Sequence, residues 1–362
     1  MKNTRIAVLG GGNGAHTMAA DFALRGWQVR LWESEAFFEN IRTVADTKKI
    51  RVTGVIDGTA ELDMVTSDMA AAIDGCRFVC IVTPSFAHEN IAKELAKCVK
   101  KDQIVMIYPG AFSSLMLKKM MGADAPVICE VNNLPYDTRL KGPGLVYCSG
   151  KNATNVAFLP ASAGEELLEE VRELHPFEKM YNDVLECGLS IVNPSLHTGA
   201  CSINIGHIEQ QAVRGQFCMY EHYTPAAAKI SIAIDNERKA VGKALGYNLR
   251  PIEDFAKKPA DYEWTWQDLY ATMHGDIGLT QITGPDSIWN RYLTEDCPNG
   301  LVPWISLGKA VGVECPVMSS FVNMYSIVHE RDWWMLGRNT EWMGLAGMDK
   351  DQILAYVKTG EM

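Results

Sequence analysis

Two groups of residues in this chain have the types and spacing to do chemistry. Near the start, the apolar run Ile6-Ala7-Val8-Leu9 leads straight into Gly10-Gly11-Gly12-Asn13-Gly14-Ala15-His16. Gly10, Gly12 and Ala15 fill the G-x-G-x-x-G/A spacing. That spacing gives a tight turn, a close backbone approach to a pyrophosphate and a small residue where the next helix meets the sheet. A helix over Asn13–Arg25 would aim its first N–H groups, those of Asn13, Gly14 and Ala15, at the phosphates. Glu33 ends a second strand, Gln28–Trp32, about twenty residues past the glycines, where a carboxylate accepts hydrogen bonds from the adenosine ribose and repels a 2′-phosphate. NAD is therefore the expected cofactor and NADP the second choice; Arg30, upstream of the strand end, does not reverse that order. A glycine turn between strand and helix with no ligand is the plain alternative.

The second group lies far along the chain. In Asn193-Pro194-Ser195-Leu196-His197 the asparagine and histidine are one helical turn apart, so both could face the same way, with Pro194 suited to a first turn. Histidine titrates near neutral pH and is the natural general acid/base; a capping or core histidine is the alternative. The run from Arg291 to Pro303 reads as a loop by its prolines and glycine, yet carries Arg291, Glu295 and Asp296. A guanidinium binds a carboxylate in a bidentate fork, and an aspartate can fix the tautomer of a histidine and stabilise its cation. A solvated loop with a surface ion pair would have the same composition.

These residues need elements to position them. Strand patterns at Arg77–Thr83, Gln103–Tyr108 and Pro126–Val131 alternate with helical ones at Phe86–Val99 and Ser113–Met121, the rhythm of a doubly wound parallel sheet. Ligands bind beyond the carboxyl ends of such strands, which puts Thr83 and Pro84 among the expected cofactor contacts. Short strands at Leu145–Cys148 and Val156–Phe158 read as an extension of the sheet. Beyond Cys187 the segments turn long and helical: Pro194–Glu209, Thr224–Leu245, Trp264–Met273, Pro303–Val311 and Val317–Arg331. The expected α/β architecture is a Rossmann-type domain over residues 1–186 and an all-α substrate domain over 187–362, with an interdomain cleft for the chemistry.

Composition narrows the function classes. At 362 residues the chain exceeds the roughly 250 to 300 at which single cores stop growing. A net charge of −10 argues against nucleic acid or an anionic membrane as partner, and no apolar run reaches the roughly 18 residues of a membrane span. The first residues read as a strand closed by glycines, so no signal peptide is expected there. Ten cysteines without metal-ligand spacing suit a reducing, cytoplasmic compartment, and no metal site is expected. The tryptophans of the second half are core by default, leaving an amino-acid pocket or a homodimer contact open for some.

The runs Asn193–His197, Arg291–Pro303, Leu134-Pro135-Tyr136-Asp137-Thr138-Arg139 and Leu336–Gly347 (LGRNTEWMGLAG) together resemble the octopine/nopaline (opine) dehydrogenase family over nearly the whole chain. The resemblance implies a Rossmann domain followed by a helical domain of the 6-phosphogluconate-dehydrogenase-like type. It implies NAD(P)H-dependent condensation of an α-keto acid, commonly pyruvate, with the amine of an amino acid. It also gives His197 the role of general acid/base, Asp296 that of its orienting partner, Arg291 that of carboxylate clamp and Asn193 that of a substrate-side donor. The extra Gly11 and Cys297 depart from the pattern. A ketopantoate reductase or glycerol-3-phosphate dehydrogenase type of enzyme is the nearest alternative, disfavoured because those families use a lysine at the head of the second domain where this chain has His197. A non-catalytic NAD sensor is the alternative of another class.

Overall fold

A computed structural model describes residues 4–254, 262–275 and 283–361. The chain divides into two compact units, residues 1–188 with 354–362, and 189–353. The break thus falls after Gly188, and the last residues belong with the first unit, whereas the sequence reading assigned everything from 187 to 362 to the second. Within the first unit Gly360 sits where a Cβ would meet Pro160 and Lys118 at 3.5 and 3.6 Å.

Among its described residues the first unit holds eleven strands: β1 (Arg5–Leu9), β2 (Gln28–Trp32), β3 (Lys49–Gly54), β4 (Gly58–Glu61), β5 (Met64–Thr66), β6 (Cys76–Ile81), β7 (Ile104–Ile107), β8 (Val127–Val131), β9 (Tyr136–Gly142), β10 (Leu145–Lys151) and β11 (Val156–Leu159). The main sheet has the order β11-β8-β7-β6-β1-β2-β5. Its strands are parallel except β11, which runs antiparallel to β8. Near-continuous apolar strands such as RIAVL and IVMI are what a sheet buried on both faces requires. The order reverses at β1, which pairs β2 on one side (Ile6 with Val29) and β6 on the other (Ile6 with Phe78). In open parallel sheets such a reversal marks where ligands bind, beyond the carboxyl ends of the strands.

A second sheet, β4-β3-β10-β9, packs beside the helix Asn13–Leu24. This corrects the sequence reading: Val156–Leu159 does extend the main sheet, but Leu145–Lys151 pairs with β3 and β9 instead. The β9 strand pins the helix, because Tyr136 donates its hydroxyl to Asp21 at 2.9 Å and the hydroxyls of Thr17 and Thr138 meet at 2.6 Å. Lys151 Nζ reaches the same Asp21 at 3.1 Å. The LPYDTR run therefore fixes the helix that carries the glycine turn.

The second unit is helical. Its main helices are Asn193–Ile203, Ile205–Glu209, Pro225–Leu245, Trp266–Met273, Val302–Ala310 and Pro316–Val328. The pattern expected to run unbroken over Pro194–Glu209 breaks at Asn204, whose amide bonds the carbonyls of Ala200 and His222 at 2.8 and 3.2 Å. Thr224 caps the longest helix by accepting from Ala227 N–H, and Gly246 ends it in the left-handed region at φ +98°. On that helix Arg238 and Asp235, both fully buried, pair at 2.7 Å, and Arg238 also reaches the carbonyls of Leu189 and Arg250. No helix among the described residues is long and apolar enough to cross a membrane.

Candidate active site

The turn after β1 is shaped by what each glycine excludes. Gly10 has φ +132°, and a Cβ there would lie 2.5 Å from the Val82 carbonyl oxygen, so the close approach of β1 to the end of β6 requires glycine. A Cβ on Gly14 would press on Leu134 and Val82 at 3.0 and 3.1 Å, and Ala15 is fully buried. Gly12 differs: a Cβ there would meet nothing within 4 Å. Gly12 is also the N-cap of the helix Asn13–Leu24, with no side-chain cap and no acid in the first turn. Small residues pack one side of the turn, the other side is open, and the helix N-terminus is uncapped; these fit a dinucleotide pyrophosphate. Asn13 accepts from Leu140 N–H through its side-chain oxygen Oδ1 at 2.8 Å, which anchors this residue to β9.

Glu33 stands over the same turn. It accepts from Ser34 N–H at 2.8 Å and from Gly11 N–H; burial pushes its carboxyl up, and these bonds offset part of the rise. A Cβ on Gly11 would come 2.9 Å from Glu33 Oε2, which explains the extra glycine. Arg30 is committed elsewhere, to Asp63 at 3.0 Å and to the carbonyls of Ala71 and Asp74 at 2.8 and 2.9 Å. Its cation is therefore not available to a 2′-phosphate.

Thr83 and Pro84 follow β6 on the same rim, with Thr83 Cγ2 placed 2.8 Å from where a Gly10 Cβ would be. Two buried polar residues brace this rim and the neighbouring loop. His88, fully buried, donates from Nε2 to the Thr83 carbonyl at 3.2 Å and takes the Ser113 hydroxyl at Nδ1 at 2.7 Å. The carbonyl acceptor fixes the tautomer, because only a protonated Nε2 can bond it. Glu130, also fully buried, accepts from Phe112 N–H at 3.0 Å and Ser114 N–H at 2.8 Å at the start of the next helix. His88 stands in no motif, and only the burial of its polar side chain reveals it.

In the second unit His197 lies one turn into the helix Asn193–Ile203, with its side chain 12 % exposed. Its Nδ1 is 2.5 Å from Asp296 Oδ2, across 99 residues of sequence. The carboxylate therefore accepts a hydrogen bond from Nδ1–H and leaves Nε2 as the basic nitrogen of the neutral ring. Burial pushes the Asp296 carboxyl up, and His197 pulls it back toward the ionised form. Tyr292 meets the imidazole nearly at right angles, with ring centroids 4.3 Å apart. Arg291 begins the short helix Arg291–Thr294, and Asn193 sits exposed one turn before His197.

The segment from Arg291 to Pro303, read from sequence as a loop, is instead helical in short pieces. Asn290 caps Arg291–Thr294 by accepting from Tyr292 N–H, and Cys297–Leu301 forms a π-helical turn running into Val302–Ala310. Pro298 and Pro303 occupy first-turn positions, where a missing N–H costs nothing. Arg338 N–H ties down that turn through the Pro298 carbonyl at 2.9 Å, and its guanidinium lies 4.8 Å from the Trp342 ring. The C-terminal LGRNTEWMGLAG run therefore braces the segment that carries Asp296. Cys297 and Cys201 are buried thiols pushed up by burial and by Asp296, which makes Cys297 a packing residue.

Comparison with known proteins agrees with this division. Residues 180–329 match the family described as NAD/NADP octopine/nopaline dehydrogenase, alpha-helical domain, and residues 5–121 match the NAD-dependent glycerol-3-phosphate dehydrogenase N-terminus. An opine dehydrogenase of Arthrobacter sp. (strain 1C) is 31% identical over 99% of this chain and 100% of its own length. An octopine dehydrogenase of Mizuhopecten yessoensis is 26% identical over 86% of each chain. A solved structure of octopine dehydrogenase with NADH and L-arginine superposes at TM-score 0.79 with 22% identity, over 99% of this chain and 98% of that one. The chain therefore belongs to the octopine/nopaline (opine) dehydrogenase family and is an NAD(P)-dependent oxidoreductase.

Proposed function

We propose that the protein is an opine dehydrogenase that joins an α-keto acid, pyruvate in the first instance, to the amino group of an amino acid and reduces the resulting imine to an N-(carboxyalkyl)amino acid. The observation that carries this reading is the His197–Asp296 pair at 2.5 Å, delivered by the same short segment that carries Arg291. NADH, when bound, supplies the hydride. The turn Gly10–Ala15 holds the pyrophosphate, Glu33 the adenosine ribose, and Thr83 and Pro84 line the rim.

The remaining chemistry is proton transfer. Amine attack on the keto carbon forms a carbinolamine, and His197, protonated at Nε2, gives its proton to the departing hydroxyl, which leaves as water. The reverse exchange at Nε2 serves the oxidative direction. Asp296 keeps the ring in register and stabilises the imidazolium, Arg291 grips the keto-acid carboxylate, and Asn193 donates a hydrogen bond from the substrate side. The cofactor portion is the unit 1–188 with 354–362, and the substrate portion the unit 189–353. Ten free thiols accord with a cytoplasmic setting.

The test is NADH oxidation with pyruvate and a panel of amino acids, the products identified by mass. Turnover that requires both partners and yields their condensed, reduced mass is expected. Turnover with a keto acid alone points to a keto-acid reductase, and tight NADH binding without turnover on any pair points to a sensor.

A further inference from the structure

One charged residue of the catalytic segment has no role in the proposed chemistry, and its position gives it one. Glu295 Oε2 lies 3.6 Å from Arg291 Nε, with the Glu295 side chain 17 % exposed and that of Arg291 66 % exposed. The two are one helical turn apart, so the backbone itself sets the acid beside the inner edge of the guanidinium. An acid on the Nε edge leaves the end-on pair of terminal nitrogens suited to a carboxylate from outside. The charge of Glu295 also reaches the neighbouring Asp296, whose carboxyl it pushes up. Asp296 is already matched by His197, so the acid set beside Arg291 is Glu295. One substrate carboxylate matches the guanidinium, whereas a second on the same keto acid would be added beside Glu295.

We propose that Glu295 determines keto-acid specificity: it orients Arg291 to take one carboxylate and repels keto acids that carry a second. The substrate class is therefore the monocarboxylic α-keto acids. This rests on reading Arg291 as the carboxylate clamp, and discrimination of this kind comes from a built-in repulsion as much as from attraction.

The experiment compares α-ketoglutarate with α-ketohexanoate, a chain of similar length without the second charge, each as substrate or as competitive inhibitor of pyruvate turnover by the full-length enzyme with NADH and amine. The wild type is expected to favour the monocarboxylate. Glu295→Gln should shift the ratio toward α-ketoglutarate by about tenfold, the size of a partly screened like-charge repulsion. Glu295→Asp, which keeps the charge, should hold the wild-type ratio; a merely structural role would not separate the two variants this way. Should Glu295→Gln fail to fold, Glu295→Met takes its place. Equal use of the two acids by the wild type, or an unchanged ratio in a folded charge-free variant, overturns the proposal. Arg291→Met separates the two claims. If it raises the KM for pyruvate while the ratio stays fixed in Glu295→Gln, the charge filter alone has failed; if it leaves that KM unchanged, the clamp itself is wrong and the filter falls with it.

Discussion

The glycine turn and the His197 site present their chemistry in opposite ways. At the glycine turn the groups proposed to bind phosphate are backbone N–H groups, and side chains matter there by being absent: Gly12 faces open space, while Gly10 and Gly14 are small because neighbours crowd them. In the second unit the groups proposed to act are side chains, held by a bond that spans 99 residues and by a segment braced through Arg338 and Pro298. Binding a pyrophosphate needs only an uncapped helix end and room to approach it. Moving a proton needs one nitrogen aimed and its tautomer fixed, which takes a partner from elsewhere in the fold.

If that contrast holds, the two sites fail separately. The largest effect is expected from His197→Ala, which should lower kcat by on the order of 10² to 10⁴ while NADH affinity measured by fluorescence titration stays within about twofold. A parallel loss of NADH binding would break the division. Next, Gly12→Val should weaken NADH binding by at least about tenfold with little change in melting temperature, because the side chain enters the space kept for the cofactor. Gly10→Ala should behave the other way and cost about 1 to 3 kcal/mol of stability in urea titration, from the left-handed φ and the Val82 carbonyl. Equal behaviour of the two would contradict the roles assigned to them. Glu33→Arg should move the NADH/NADPH preference toward NADPH by roughly tenfold, since it replaces a repulsive carboxylate with a phosphate-binding cation.

A second pair sharpens the contrast. His197 keeps a carboxylate partner, whereas His175 sits in the first unit among Phe22, Tyr108, Tyr136 and Phe177, with ring centroids between 5.3 and 5.9 Å away. Burial pushes its imidazole down to about 3, below the ordinary value of 6.5. The unfolded chain therefore binds this proton first as pH falls, so the stability this residue contributes is complete above pH 6.5 and is lost toward pH 3. His175→Phe should flatten the acid limb of stability by at most about 1.4 kcal/mol per pH unit, measured as urea midpoints from pH 7 to 4. An unchanged slope would show that the ring does not titrate in this way.

How much of each region could be read from sequence follows from the same contrast. The glycine turn, its strand, its helix and Glu33 are contiguous, so spacing alone exposes them. His197 and Asp296 are not, and neither composition nor periodicity links them; family resemblance did. The segment after Asn290 has the composition of a loop because proline breaks helix interiors, whereas here Pro298 and Pro303 occupy first helical turns. The second sheet is hard to read from sequence although Ile50 and Val52 alternate with polar neighbours, because a partner of β3 is β10, far along the chain. His88 leaves no sequence signal, since its importance lies in being polar and buried.

The most direct test of the central claim is a double-mutant cycle on the paired side chains, with kcat for the pyruvate and amino-acid reaction measured in wild type, His197→Ala, Asp296→Asn and the double variant, all saturated with NADH. If Asp296 acts through His197, Asp296→Asn should lower kcat by on the order of a hundredfold alone and have almost no further effect once His197 is gone. Two losses that multiply in the double variant would show that the residues act independently, and the dyad would not be the acid/base unit of this enzyme.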